Sequence, residues 1–270
     1  MQRATLGPVE LAYDTAGDDG TPVLLIMGFA VRGNAWRRQI PALSAQHRVI
    51  WFDNRGVGDT VAPRRPVSIR AFADDAAALL DHLGVERAHV VGISIGGMIA
   101  QHVAHRHPDR LRSLTLIATH AGGRRAVLPT AQGLRLFLQA NFDRRQRGDA
   151  LLNLLMTPEF LETADRERIK ADLAEELGIR SGLARLGQLG AVLSHDMRRH
   201  LPRLGQVPTL VIKPDRDVLI HPRNSDHLAR RIPGARLVTV PDVGHGLLRE
   251  HPGHVSDLLL GHFAQVDAQA

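Results

Sequence analysis

Ser94 stands in Gly92-Ile93-Ser94-Ile95-Gly96, between a β-branched run at 88–93 and a helical stretch, 96–107, that ends near Pro108. This G-x-S-x-G spacing at a strand-to-helix junction suits a nucleophile. A sharp turn lifts the hydroxyl off the sheet, and small flanking residues let the backbones approach. The following helix turns free N–H groups and its positive dipole end toward the same point. A glycine-rich turn needed only for packing would look similar. A phosphate cradle would not, because neither G-x-G-x-x-G nor a lysine-bearing P-loop is present. A serine hydroxyl is inert without a base, so a histidine and an acid must follow, each just after a later strand. "LVIKPDRDVLIHP" offers Asp215 and Asp217; "PDVGHGLLREHP" places His245 between two glycines. His251 and His254 fall in the last helix and are expected to face solvent.

The elements that would position these groups are legible as alternation. Apolar runs at 22–27, 48–52, 88–93, 113–118, 208–213 and 235–240 are short, nearly continuous and rich in Val, Ile and Leu. Such runs predict strands of a parallel sheet covered on both faces. An earlier run, 9–14, is expected to pair at the sheet edge. Between them lie amphipathic segments, most clearly 69–83, where Ile69, Phe72, Ala76, Leu79, Leu80 and Leu83 share one stripe and Gly84 supplies the stop. Residues 222–232 and 252–264 are the last two helices. From Arg124 to Arg203 the pattern is helical with no convincing strand. About 80 residues without a strand, inside a regular βα series, predict an inserted helical lid. The expected organisation is a core of 1–123 and 204–270 with a lid at 124–203.

Composition bounds the partners. The 270 residues are 44% hydrophobic and 23% charged, as in a globular domain. No apolar run is long enough for a membrane span, and the first residues lack a secretion-signal pattern, so residence in the cytoplasm is expected. The absence of cysteine removes disulfides, thiolate metal sites and a cysteine nucleophile. The net charge is +6, with arginine supplying every basic residue except Lys170 and Lys213. These arginines are scattered among acids, and pairs such as Arg64-Arg65, Arg124-Arg125 and Arg198-Arg199 make no basic stripe, so no nucleic-acid partner is expected. His102, His105 and His107 lack the i, i+4 spacing of a zinc helix and read as a solvated face, with no metal.

The chain resembles the α/β-hydrolase-fold serine hydrolases over nearly its whole length. The likeness is carried by "LLIMGFAVRGNAW", "FDNRGVGDT", "VGISIGGMIAQ", "LVIKPDRDVLIHP" and "PDVGHGLLREHP". Its texture is nearest the branch of small-ester hydrolases, methylesterases, enol-lactonases and cofactor-free haloperoxidases. The resemblance implies Ser94 as nucleophile, Asp217 as acid in preference to Asp215, and His245 as base. It implies an oxyanion hole from the backbone N–H groups of Phe29 and Ile95. The family's usual His-Gly before that donor is Met27-Gly28 here, which leaves the backbone donor in place and makes the pocket wall more apolar. Asp53 and its loop are implied to be structural, stitching the sheet's end. His120 follows the 113–118 run, where some relatives place their acid, and a histidine cannot serve as one.

These residues together predict a serine hydrolase that cleaves a carboxylic ester or lactone of a small to medium apolar molecule through an acyl-enzyme, without a cofactor. Met27, Phe137, Leu155 and Met156 are the candidate pocket residues. Other uses of the same triad are a thioesterase, a carbon–carbon bond hydrolase or a perhydrolase. From another class altogether, a ligand-binding protein with little turnover would keep the fold but not need all three groups. No motif encodes the substrate's identity or the oligomeric state.

Overall fold

Alternating side chains on short Val-, Ile- and Leu-rich strands give a sheet two apolar faces, and both must be covered. The computed structural model describes residues 1–63 and 67–269; Arg64 and Arg65 lie outside them. Among these residues the strands are β1 (Gln2–Leu6), β2 (Val9–Ala16), β3 (Val23–Ile26), β4 (Val49–Phe52), β5 (Ala88–Ile93), β6 (Leu111–Ile117), β7 (Thr209–Pro214) and β8 (Arg236–Val240). They form one sheet in the order β1-β2-β4-β3-β5-β6-β7-β8, antiparallel across β1, β2 and β4 and parallel from β4 onward. This is the α/β hydrolase architecture.

The helices are α1 (Ile40–Ser44), α2 (Ile69–His82), α3 (Ile95–Arg106), α4 (Ala131–Phe142), α5 (Arg147–Leu155), α6 (Pro158–Thr163), α7 (Arg166–Glu176), α8 (Gly182–Ser194), α9 (Arg223–Arg231), α10 (Leu247–Glu250) and α11 (Pro252–Asp267). Leu24, Ile26 and Val90 pack with Phe72, Leu79 and Ile99 of α2 and α3 on one face. Val23, Leu25 and Val91 pack with Leu43, Leu259 and Phe263 of α1 and α11 on the other. The β3, β4 and β5 strands are buried at every position, as their unbroken apolar sequence requires. No helix of the described residues is long and apolar enough to cross a membrane.

Two expectations about the edges change. The 9–14 run is not an edge strand: β2 lies between β1 and β4. The edge is β1, whose sequence QRATL buries only Ala4 and so shows no apolar pattern to read. At the other edge β8 buries only Val240, so it is covered far less than its sequence suggests. The α2 stripe is as expected, with Ile69, Phe72, Ala76, Leu79 and Leu80 buried and Gly84 beyond it at φ +63°. Helices α4 to α8 occupy the chain between β6 and β7, and none of the sheet's strands interrupts them.

The helix bearing His102 and His105 is not a solvated face either. The His102 ring packs against His195 at 5.4 Å between centroids, and His105 against His200 at 4.2 Å. His195 is in turn 6.0 Å from His120. On the other side of the sheet His89 stacks on Phe263 at 4.4 Å, with His262 beside it. Burial pushes the rings of His89, His102, His120 and His262 down to about 4 and that of His195 to about 3. An unfolded histidine titrates near 6.5, so between about pH 6.5 and 4 the unfolded chain binds more protons than the folded one. Stability is therefore fully present above that window and is lost as pH falls through it. Thermal unfolding followed by circular dichroism should show Tm falling steadily below about pH 6.5. A Tm flat down to about pH 4.5 would contradict the neutral burial of these rings.

Candidate active site

Ser94 joins β5 to α3 with φ 56° and ψ −123°, a conformation that costs a non-glycine residue backbone strain. Several contacts hold it there. The Ser94 N–H donates to the Ile117 carbonyl at 3.0 Å. Its own carbonyl accepts from the Thr119 hydroxyl at 2.7 Å and from the N–H groups of Gly97 and Met98. The turn is also sterically closed: a Cβ on Gly92 would overlap the Gly96 carbonyl, and one on Gly96 would overlap that of Ile26. The two glycines of the motif are thus required by backbone approach on both sides of the serine. Since α3 begins at Ile95, the first-turn N–H groups of Ile95 and Gly96 have no intrahelical carbonyl to bond.

His245 and Asp217 meet across the loops after β8 and β7. The His245 Nδ1 lies 2.6 Å from Asp217 Oδ2, and both side chains are buried. The other oxygen, Oδ1, accepts the backbone N–H groups of Leu219 and Ile220, each at 2.8 Å. Both oxygens of this carboxylate are thus engaged, and it holds the imidazole with Nε2 turned away from the acid. Asp215 is exposed and its backbone N–H bonds to Val240, as a turn residue's would. His251 and His254 are exposed.

The loop after β3 brings Gly28 against the serine, so that a Cβ there would stand 3.2 Å from Ser94 Cβ. Phe29 follows, its ring 5.7 Å from that of Phe137. Ala30, at φ 62°, donates its N–H to Gln188 Oε1 at 2.9 Å, and Gln188 Nε2 donates to the Arg55 carbonyl. The Asp53 carboxylate, fully buried, accepts from the N–H groups of Gly33 and Asp59, while Asn54 donates to the Met27 carbonyl. Asp53 is therefore a brace between the loops after β3 and β4. Glu250 does the same for the histidine loop. Its Oε1 accepts from the Gly244 N–H and its Oε2 from the Thr157 hydroxyl, while the Gly246 N–H bonds to the Leu155 carbonyl.

Gln188 and Glu250 were not visible as site residues in the sequence. Gln188 is a polar residue in "GLARLGQLGAVL", and its burial at 2% exposure is the signal, one that exists only after folding.

Ser94 and His245 open onto one cavity of about 790 Å³. Its lining includes Met27, Phe29, Phe137, Leu155 and Met156, together with Ile93 and the Gly28 that lies against the serine. Leu152 of the same helical region packs inward, Leu154 both packs inward and reaches the cavity, and Leu134 and Leu138 are exposed. Among the described residues no group of three metal-ligating side chains is clustered.

A family model described as the alpha/beta hydrolase fold matches residues 21–252. A putative carbamate hydrolase of Azorhizobium caulinodans is 33% identical over 272 residues, covering 99% of this chain and all of that one. The solved enol-lactonase of Burkholderia xenovorans superposes with a TM-score of 0.85 at 25% identity, over 97% of this chain and 100% of its own. A thermophilic esterase from Thermogutta terrifontis superposes at 0.81 with 28% identity, over 98% and 99%. With a strained serine turn, a buried histidine–carboxylate pair and a family match across most of its length, the chain belongs to the alpha/beta hydrolase fold family and is a hydrolase of that family.

Proposed function

We propose that the protein cleaves a carboxylic ester or lactone through a serine acyl-enzyme. The observation that carries this reading is the 2.6 Å pairing of His245 with Asp217 beside a cavity that also exposes Ser94. His245 Nε2 takes the proton of Ser94 Oγ as the hydroxyl attacks the substrate carbonyl carbon. The negative charge that forms on the carbonyl oxygen is met by the N–H groups of Phe29 and Ile95. Asp217 keeps the Nδ1 proton on the side facing it and stabilises the charged imidazole. The imidazolium returns its proton to the leaving alcohol, and water then repeats the cycle on the acyl-enzyme. No cofactor enters these steps.

Helices α4 to α8 serve as the lid of residues 124–203 over the 1–123 and 204–270 core, and Met27, Phe137, Leu155 and Met156 supply apolar contact to the part of the substrate nearest the carbonyl. The relative named as a carbamate hydrolase would ask the same groups to attack a carbonyl bearing nitrogen, so carbamates belong in the substrate panel beside esters, lactones and thioesters.

A fluorophosphonate should give one adduct on the wild-type protein, mapped to Ser94, and none on Ser94→Ala by intact mass. No adduct on folded wild type would count against the acyl-enzyme and favour a binding protein. Asp217→Asn should keep the fold and lower kcat on a p-nitrophenyl ester by roughly three to four orders of magnitude, because the imidazole loses its working tautomer. Gln188→Ala, which leaves the buried Ala30 N–H and the Arg55 carbonyl without this partner, should lower kcat about tenfold and lower Tm by a few degrees. An unchanged kcat would mean that the donor loop holds its shape without this contact.

A further inference from the structure

Six arginines line the cavity, and their partners divide them sharply. Arg38 and Arg249 pair with Asp172 and Glu176, which Arg37 shares. Arg180 has no carboxylate partner among the described residues either, but its Nη1 donates to the carbonyls of both Gly58 and Thr60, which ties it to the loop after β4 and away from the other three. Arg144, between α4 and α5, and Arg147 and Arg185, at the starts of α5 and α8, line the same part of the cavity and feel one another's charge, and no carboxylate pairs with any of them among the described residues. Their recorded contacts are to carbonyls only: Arg147 Nε donates to Ala140, and Arg185 Nη1 to Asn141. The Arg185 Nε is buried and has no hydrogen-bond partner. The acids nearest in sequence are engaged elsewhere, Asp149 by Lys170 and Asp143 Oδ1 by the N–H groups of Arg145 and Gln146.

Three guanidinium groups left together without a counter-charge repel one another, and such an arrangement is held at a cost unless something anionic answers it. Burial, and then the charges of Arg147 and Arg144, push the Arg185 guanidinium below its ordinary value. Arginine forks suit carboxylate oxygens in particular, since they can donate two parallel hydrogen bonds. The cluster starts at Asn141, about one helical turn, or roughly 6 Å, along α4 from the Phe137 that touches Phe29.

We propose that Arg144, Arg147 and Arg185 form a subsite for a carboxylate carried by the substrate at the far end from its reacting carbonyl. The inference rests on the ester-hydrolase reading of the same cavity and narrows it to half-esters or lactones of acidic molecules. The apolar wall between Phe29 and Asn141 takes the methylene chain that joins the two ends.

The test compares mono-p-nitrophenyl suberate with p-nitrophenyl octanoate, esters of equal chain length that differ in the terminal carboxylate. Wild type should prefer the acid-tailed ester by about tenfold or more in kcat/KM, mainly through KM, and high salt should shrink the preference. Arg147→Gln and Arg185→Gln should each drive the ratio toward one, while Arg185→Lys keeps part of it. A preference for octanoate, or a ratio untouched by both glutamine variants, would overturn the proposal. If neither ester turns over, the ester reading fails and the subsite is judged by calorimetry with suberate itself. Salt-sensitive suberate binding that the paired Arg147→Gln, Arg185→Gln variant loses would sustain the subsite; no suberate binding to wild type would overturn it.

Discussion

The backbone of Ser94, held at φ 56° between β5 and α3, is the constraint from which the rest of the site follows. The turn can be this tight only because β5 lies in the middle of a parallel sheet, with β3 on one side and β6 on the other. The Ile26 carbonyl closes on Gly96 from β3, and the Ile117 carbonyl takes the Ser94 N–H from β6. Neighbouring strands thus supply both the steric wall and the hydrogen bonds that offset the strain. Without that support a serine at positive φ would relax, and the hydroxyl would no longer stand clear of the sheet.

The strain has a second consequence. A fixed serine is useful only if the loops around it are equally fixed, and those loops carry little regular structure of their own. Buried polar side chains do this work. Asp53 and Asn54 tie the loop after β3 to the loop after β4. Gln188 reaches from α8 to Ala30, and Glu250 ties the histidine loop to Thr157. Two of these four ties cross between the sheet's loops and the helices between β6 and β7. A buried polar group left half-satisfied is costly, so each tie also resists the helical region lifting away as a free body.

The cavity that results is chemically uneven. Part of its wall is methionine, phenylalanine and leucine; beyond the C-terminal end of α4 it is arginine. Part of that charge is cancelled by Asp172, whose carboxyl burial would push up but whose hydrogen bonds with Arg249 and Arg38 and the nearby Arg37 hold at about 2. Arg180 keeps its charge but spends its Nη1 on the carbonyls of Gly58 and Thr60, and the rest of the uncancelled charge is gathered at Arg144, Arg147 and Arg185. A net charge of +6 spread along the sequence thus says little, whereas three unpaired guanidiniums at one end of a cavity say which ligands would be welcome.

By itself the sequence determined the alternation of buried strands and amphipathic helices, the strand–turn–helix setting of Ser94, and the strandless stretch between β6 and β7. These are local properties: periodicity, β-branching and glycine spacing act within a few residues. Composition and periodicity left Asp215 and Asp217 two residues apart, with only the family resemblance preferring Asp217, and the folded loops bring Asp217 to His245 while Asp215 stays exposed. The polar strand β1 was silent because its single buried residue, Ala4, makes no pattern. The histidines of α3 looked solvated because their partners, His195 and His200, lie far along the chain. Gln188, Glu250 and the arginine cluster were invisible for the same reason: each acts through a contact between segments remote in sequence, and burial and charge pairing exist only once those segments are packed together.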